Sequence, residues 1–140
     1  MAYWLMKSEP GSWSWDDQVK AGAKGTSWDG VRNHQAKLNL MKMKKGDRAF
    51  FYHSGDEKSI VGIVEIIGKQ HPDSTDKTGK FVAVDVKSVA PMPSPVTLKL
   101  CKAEKGLAKM VLLNNTRLSV QPVTGAEWAI VCKLGGLKSA

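Results

Sequence analysis

The stretch Arg48–Gly68, RAFFYHSGDEKSIVGIVEIIG, holds two apolar runs of strand length separated by a polar turn. Arg48–His53 and Ile60–Gly68 are rich in aromatic and β-branched residues, and Gly55-Asp56-Glu57-Lys58 has the composition of a hairpin. Working outward, Tyr3–Ser8 reads as another short strand, stopped where Pro10 disfavours helix at Glu9 and Pro10-Gly11 turns the chain. Downstream, Phe81–Val89 alternates, with Phe81, Ala83, Asp85 and Lys87 on one side and Val82, Val84, Val86 and Ser88 on the other, which predicts a half-buried strand. His71–Lys80 is polar, with Pro72 and Gly79, and predicts a loop; Pro91, Pro93 and Pro95 predict a stiff crossing segment. Leu118–Val120 reads as a last short strand, stopped by Pro122.

Helical signals lie around these strands. Ser14 with Asp17 forms a capping-box pattern, Trp15 and Val19 share a face, and Gly22 and Gly25 stop the element. Trp28-Asp29-Gly30 reads as a turn, after which Asn33 caps a helix with Ala36, Leu40 and Met43 at helical spacing, closed by Gly46-Asp47. Thr97 opens a short Lys-rich helical turn, and Met110–Leu113 is apolar before Asn114-Asn115 turns the chain. Thr124 with Glu127 repeats the capping box and starts a helix that packs Trp128, Val131 and Cys132 inward before Gly135-Gly136. Six short strands and three helices predict one α+β domain over residues 1–140, a small curved sheet or barrel capped by helices. Closure of that kind removes exposed strand edges.

Composition narrows the function classes. At 42% hydrophobic residues the chain can form a core, and no apolar run approaches the ~18 residues of a membrane span. The apolar stretch before Lys7 is too short for a signal peptide, and Cys101 and Cys132 read as free thiols in a reducing cytoplasm. His34, His53 and His71 lack metal-ligand spacing, and neither GxGxxG nor GxxxxGK[ST] occurs, so no metal or cofactor is expected.

The net charge of +8 is uneven. Residues 1–30 carry −1, 31–60 carry +4, 61–90 carry 0 and 91–140 carry +5. Arg32, Lys37, Lys42, Lys44 and Lys45 form one basic cluster, and Lys99, Lys102, Lys105, Lys109 and Arg117 form another. Either is a solvated face or a phosphate-binding surface whose affinity falls with salt.

Four segments place polar residues beside large aromatics: Lys7-Ser8-Glu9, Trp28–Asn33, Tyr52-His53-Ser54 and Arg117–Pro122. Each lies at a strand end or helix mouth, where small barrels often build a shared cleft. Such a cleft suits a nucleobase, which needs an aromatic face and polar groups on its Watson–Crick edge. Trp28 is the pocket candidate among the five tryptophans; Trp4, Trp13 and Trp128 read as packing residues.

At these same residues the chain resembles the EVE-domain family. The matching stretches are YWLMKSEP (Tyr3–Pro10), WDGVRNHQA (Trp28–Ala36), MKKGDRAFFYHS (Met43–Ser54), VGIVEI (Val61–Ile66) and RLSVQPVTGAEW (Arg117–Trp128). The resemblance implies a PUA-like pseudo-β-barrel of five or six strands flanked by helices, akin to YTH and ASCH domains. It also implies recognition of a modified base, in DNA or RNA, between the barrel and the segment after its first helix. Carried onto this sequence, the motifs place Trp28, Asn33, Tyr52, His53, Ser54, Ser8, Ser119 and Gln121 at the base pocket. Lys7, Arg32, Lys37, Lys44, Lys45 and Arg117 are the expected phosphate contacts. The departure is the short His71–Lys80 segment, where many relatives carry a longer insert that bears on pocket closure.

The leading expectation is therefore a non-catalytic module that binds nucleic acid through a modified base, with no membrane partner and any effector on a separate chain. The alternative is an ASCH-like enzyme, a nuclease or small amidohydrolase, using Lys7, Ser8 and Glu9.

Overall fold

The computed structural model describes residues 1–137. Seven strands form one curled sheet: β1 Tyr3–Ser8, β2 Thr26–Trp28, β3 Arg48–His53, β4 Ser59–Ile66, β5 His71–Pro72, β6 Val82–Thr97 and β7 Val120–Val123. Their order is β2-β6-β4-β3-β1-β7, with β5 paired to the start of β6. All pairs are antiparallel except β1 with β3, whose register sets Tyr3 opposite Arg48 and Ser8 opposite His53. The helices are α1 Trp15–Lys20, α2 His34–Lys42, α3 Leu98–Ala103, α4 Val111–Asn114 and α5 Gly125–Leu134, with 3-10 turns at Gly22–Lys24 and Lys105–Leu107.

Strand alternation produces two cores, one on each face of the sheet. Trp4, Met6, Phe51, Val64 and Val86 pack with Trp15 of α1 and Leu40 of α2 on one face. Leu5, Phe50, Tyr52, Ile63 and Val96 pack with α3 and α5 on the other. There the Trp128 indole stacks between Phe50 and Tyr3, with ring centroids 3.9 and 4.4 Å away. Both capping boxes form as the sequence predicts, at Ser14/Asp17 and Thr124/Glu127, and Asn33 caps α2.

Four expectations need correction. Pro91, Pro93 and Pro95 are not a separate crossing segment but lie within the 16-residue strand β6. A proline removes one ladder donor, which a strand tolerates on an unpaired edge. Past Val86 the strand partners of β6 all lie on its β4 side. Pro122 likewise does not end the last strand; it pairs with Trp4 inside β7, which is a sheet edge. His71-Pro72 in the expected loop forms the short strand β5. Finally, Trp28 ends a strand, β2, and the expected Asp29-Gly30 turn does not form: residues 29–33 run on irregularly, with Gly30 at φ +77°.

Candidate functional site

The carboxyl ends of β1 and β2 open on the same side and enclose a cleft of about 550 Å³. Lys7, Ser8 and Glu9 supply one wall, Thr26 to Gly30 the other, and Ser12 and Trp13 close the end. The volume lies within the ~300–1,000 Å³ of small-ligand sites.

Two indoles face this space. Trp28 is 7% exposed and packs edge-on against Phe51, centroids 5.4 Å apart, so the core fixes its orientation. Trp13 is half-buried, and its indole N–H donates to Gln18 Oε1 at 2.9 Å. The reason is local. With Ser14 as N-cap, Trp13 falls just outside the helix and Gln18 at its fourth position, the two places joined in a hydrophobic staple. Trp13 thus packs against the core, as the sequence predicts, and also lines the end of the cleft, a second role sequence reasoning missed although the capping box was legible.

The WDGVRN segment is held from behind by Asp73, which is 3% exposed. Its carboxylate accepts from the Gly30 amide at 2.8 Å, Arg32 at 3.0 Å and both the amide and hydroxyl of Thr75. Gly30 has φ +77°, the left-handed conformation that lets its N–H point that way. Arg32 also donates to the Val31 carbonyl and Thr75 Oγ1 and lies over the Phe81 ring at 5.3 Å. The short 71–80 segment is therefore a buttress behind the cleft wall. Its signal in the sequence was the repeated Asp-x-Thr of Asp73–Thr75 and Asp76–Thr78, the pattern of consecutive Asx turns.

Burial alone pushes the Asp73 carboxyl up, but the hydrogen bonds from Thr75, Arg32 and Gly30 outweigh it and take it down to about 2. On the same segment, His71 faces two acceptors, the Pro72 carbonyl at Nδ1 and Asp85 at Nε2, an arrangement that suits the imidazolium. The Asp85 hydrogen bond raises its pKa from 6.5. A depressed carboxyl adds stability above its unfolded value of 3.8, lost as pH falls through about 2. A raised histidine adds stability below its unfolded value of 6.5, lost as pH rises through the folded value. Docking of the 71–80 segment is thus expected to be firmest between these two unfolded values. Amide shifts of Gly30 and Thr75 followed by NMR check it; shifts constant from pH 2 to 9 contradict it.

The other sequence candidates divide between places. Tyr52 and His53 are adjacent on β3 and face opposite sides of the sheet. His53 Nε2 accepts from the Trp15 amide at 2.9 Å and Nδ1 meets Glu57, so both ring nitrogens pin α1 to the hairpin. Tyr52 and Ser54 line a second cavity of about 350 Å³, which shares Lys7 with the cleft. Asn33 Oδ1 accepts from the Ala36 amide as the N-cap of α2. Gln121 is fully buried, and its amide donates to the Leu118 and Asn115 carbonyls, holding the turn before β7. Ser119 lines neither cavity; its carbonyl accepts from the Lys7 amide at 2.9 Å. Of the pocket residues expected from sequence, Trp28 and Ser8 thus line the cleft itself.

Among the expected phosphate contacts, Lys7 is at the cleft, with its ammonium 2.7 Å from the Thr116 carbonyl and 5.7 Å from the Tyr52 ring centroid. Lys37 lies over Phe81 at 5.8 Å, on the buttress side. Lys44, Lys45 and Arg117 are exposed. Because Lys44 and Lys45 lead into Arg48, opposite Tyr3, they sit about five strand residues, roughly 16 Å, from the Ser8 end. Ser8 Oγ donates to the Trp13 carbonyl at 2.5 Å and has no histidine or carboxylate acceptor among the described residues, so Lys7-Ser8-Glu9 forms no nucleophile–base pair. No group of three or more His, Cys, Asp or Glu among the described residues is placed to hold a metal.

Residues 2–134 match the family model of the EVE domain. Human thymocyte nuclear protein 1 is 36% identical over 165 residues, covering 95% of this chain and 73% of that protein. A crystal structure of an Agrobacterium tumefaciens protein is 50% identical and superposes with a TM-score of 0.96, covering 100% and 97% of the two chains. The human THYN1 protein, solved in complex with DNA containing 5-methylcytosine, is 33% identical with a TM-score of 0.91 over 99% of this chain and all of that one. A Zygosaccharomyces rouxii YTH domain, 17% identical with a TM-score of 0.60, shares the fold over 99% of this chain and 89% of its own.

Proposed function

The chain belongs to the EVE-domain family, and we propose that its Trp13–Trp28 cleft takes a single modified nucleobase from a nucleic acid. The observation that carries the reading is the pairing of two indoles with Ser8, Ser12 and Ser27 hydroxyls and the Glu9 carboxylate around one base-sized space. Aromatic faces hold a base by stacking, about 1–3 kcal/mol per base. Hydroxyls and a carboxylate read its Watson–Crick edge, with the carboxylate accepting from an exocyclic amine. The cytosine ring offers such an amine, and the complex of human THYN1 with 5-methylcytosine DNA makes that base the first to test.

A buried methyl adds about 0.8 kcal/mol, so a methylated cytosine should bind roughly four-fold tighter than cytosine in the same strand. Fluorescence titration with single-stranded oligonucleotides carrying one central cytosine, 5-methylcytosine or N6-methyladenine is the test. A preference for one modified base supports the reading, and equal affinities for modified and unmodified strands refute it.

A further inference from the structure

We propose that the second cavity, walled by Lys7, Lys58 and Lys102, seats the phosphodiester of the nucleotide next to the bound base. The inference rests on the base reading above and adds the direction in which the strand leaves the cleft.

Lys7 borders both cavities, so a group in one is a neighbour of a group in the other. The second cavity offers three ammoniums beside Tyr52, Ser54 and Thr116, with no carboxylate among its lining residues; the Glu9 carboxylate, which accepts from Ser54 Oγ at 3.5 Å, stands at its border with the base cleft. Among the described residues, none of these three lysines takes part in an ion pair; the pairs found involve Arg32, Arg48, His53, His71 and Lys87. Lys7 is half-buried with a carbonyl as its nearest partner, and burial lowers its pKa. An anion arriving there would restore the charge balance that desolvation disturbs.

The fold holds Lys58 and Lys102 together. Lys58 is the one non-glycine residue with positive φ among the described residues, at +46°. Its carbonyl accepts from the Leu98 amide at 2.8 Å, tying the hairpin to α3. Lys102 follows Leu98 by four residues, one turn along the same face. A left-handed residue is what a short hairpin loop of this kind uses, so the turn itself fixes where Lys58 stands. The next hollow shares Lys58 and Lys102 with this cavity and adds Asp56, Glu57 and Lys99, so the two lysines stand on the rim between the two. The charge surplus of residues 31–60 thus splits: Lys58 stands at the site, whereas Lys44 and Lys45 stand at the opposite end of β1 and β3.

The double variant Lys58→Gln/Lys102→Gln, compared with Lys44→Gln/Lys45→Gln, tests the assignment in the whole protein. The probes are a single-stranded pentanucleotide with one central 5-methylcytosine and the free 5-methyl-2′-deoxycytidine nucleoside. Each lost phosphate contact removes about 0.7 from the slope of log affinity against log salt for a single strand. We expect the first variant to lose about ten-fold in pentanucleotide affinity at low salt, with a slope shallower by up to about 0.7, since one phosphate is seated. Nucleoside binding should be unchanged, and the second variant should match the wild type. Pentanucleotide affinity and slope that stay at wild-type values in the first variant overturn the phosphate track and leave the base cleft standing. A salt slope that depends on Lys58 and Lys102, without any preference for the modified base, sinks the base reading and keeps the track. Circular dichroism melting of each variant separates lost binding from lost folding.

Discussion

Trp28→Ala is expected to lower unfolding stability by about 3–5 kcal/mol, the usual result of truncating a buried aromatic, and to abolish binding of a modified base. Both effects follow from one placement. The indole belongs to the core that includes Phe51, Trp15 and Leu40, and it also lines the cleft. Truncation leaves a cavity against Phe51 and removes a stacking surface at the same time. Trp13 separates the two effects, because it is half-buried and attached to α1 through Gln18. Trp13→Ala should cost less stability than Trp28→Ala, because Trp13 only flanks the core, and weaken base binding by about 1–3 kcal/mol, roughly five- to 150-fold. Chemical denaturation gives the first quantity, and titration with a 5-methylcytosine oligonucleotide gives the second. Full affinity in Trp13→Ala, together with full affinity in Trp28→Phe, would place the base somewhere other than this cleft.

The second large effect is expected at Gly25, which precedes β2. Its φ of +73° and ψ of −166° lie in a region that essentially only glycine occupies. A Cβ there would stand 2.3 Å from the Val86 carbonyl oxygen and 2.9 Å from Ile67 Cδ1. The backbone oxygen cannot move aside without disturbing β6, since Val86 pairs with Thr26 on one side and Ile66 on the other. Strain of about 1–3 kcal/mol and overpacking of about 1–3 kcal/mol together give Gly25→Ala a loss of roughly 2–6 kcal/mol. Because β2 carries Thr26, Ser27 and Trp28, the same displacement should weaken ligand binding. Gly30→Ala is the internal control: φ is +77°, but nothing lies within 4 Å of an added Cβ. It should cost only the conformational term, about 1–2 kcal/mol. Equal urea midpoints for the two variants would rule out the close approach at Val86.

Legibility followed the range of the interactions. The capping boxes at Ser14 and Thr124 and the Asn33 cap are satisfied within three residues, so their residue types declare them. The hairpin of β3 and β4 is likewise local. The expected crossing segment failed because a proline's tolerance in a strand depends on which edge has a neighbour, and that neighbour is a distant strand. Tyr52 and His53 read as one motif, yet the pleat sends them to opposite faces, and only the position of α1 turns His53 into a hydrogen-bonded pin. The site residues the sequence left aside, Trp13 and Asp73, act through groups outside their own motifs.

The sequence by itself determined a basic α+β domain with the EVE-domain motifs, capped helices and a strand-rich middle. It also singled out Trp28 as the pocket tryptophan, although it read as part of a turn and in fact ends a strand. Those features depend on residue chemistry and short-range spacing. Only the tertiary structure decided which motif residues meet. The ends of β1 and β2 come together because the sheet curls, pairing Trp28 with Trp13 and Ser8. The same curl sets Lys7 between two cavities, beside Lys58 and Lys102 and a strand's length from Lys44 and Lys45. Charge along a chain counts lysines, whereas a phosphate responds to their positions within a few ångströms, and sheet register sets those positions.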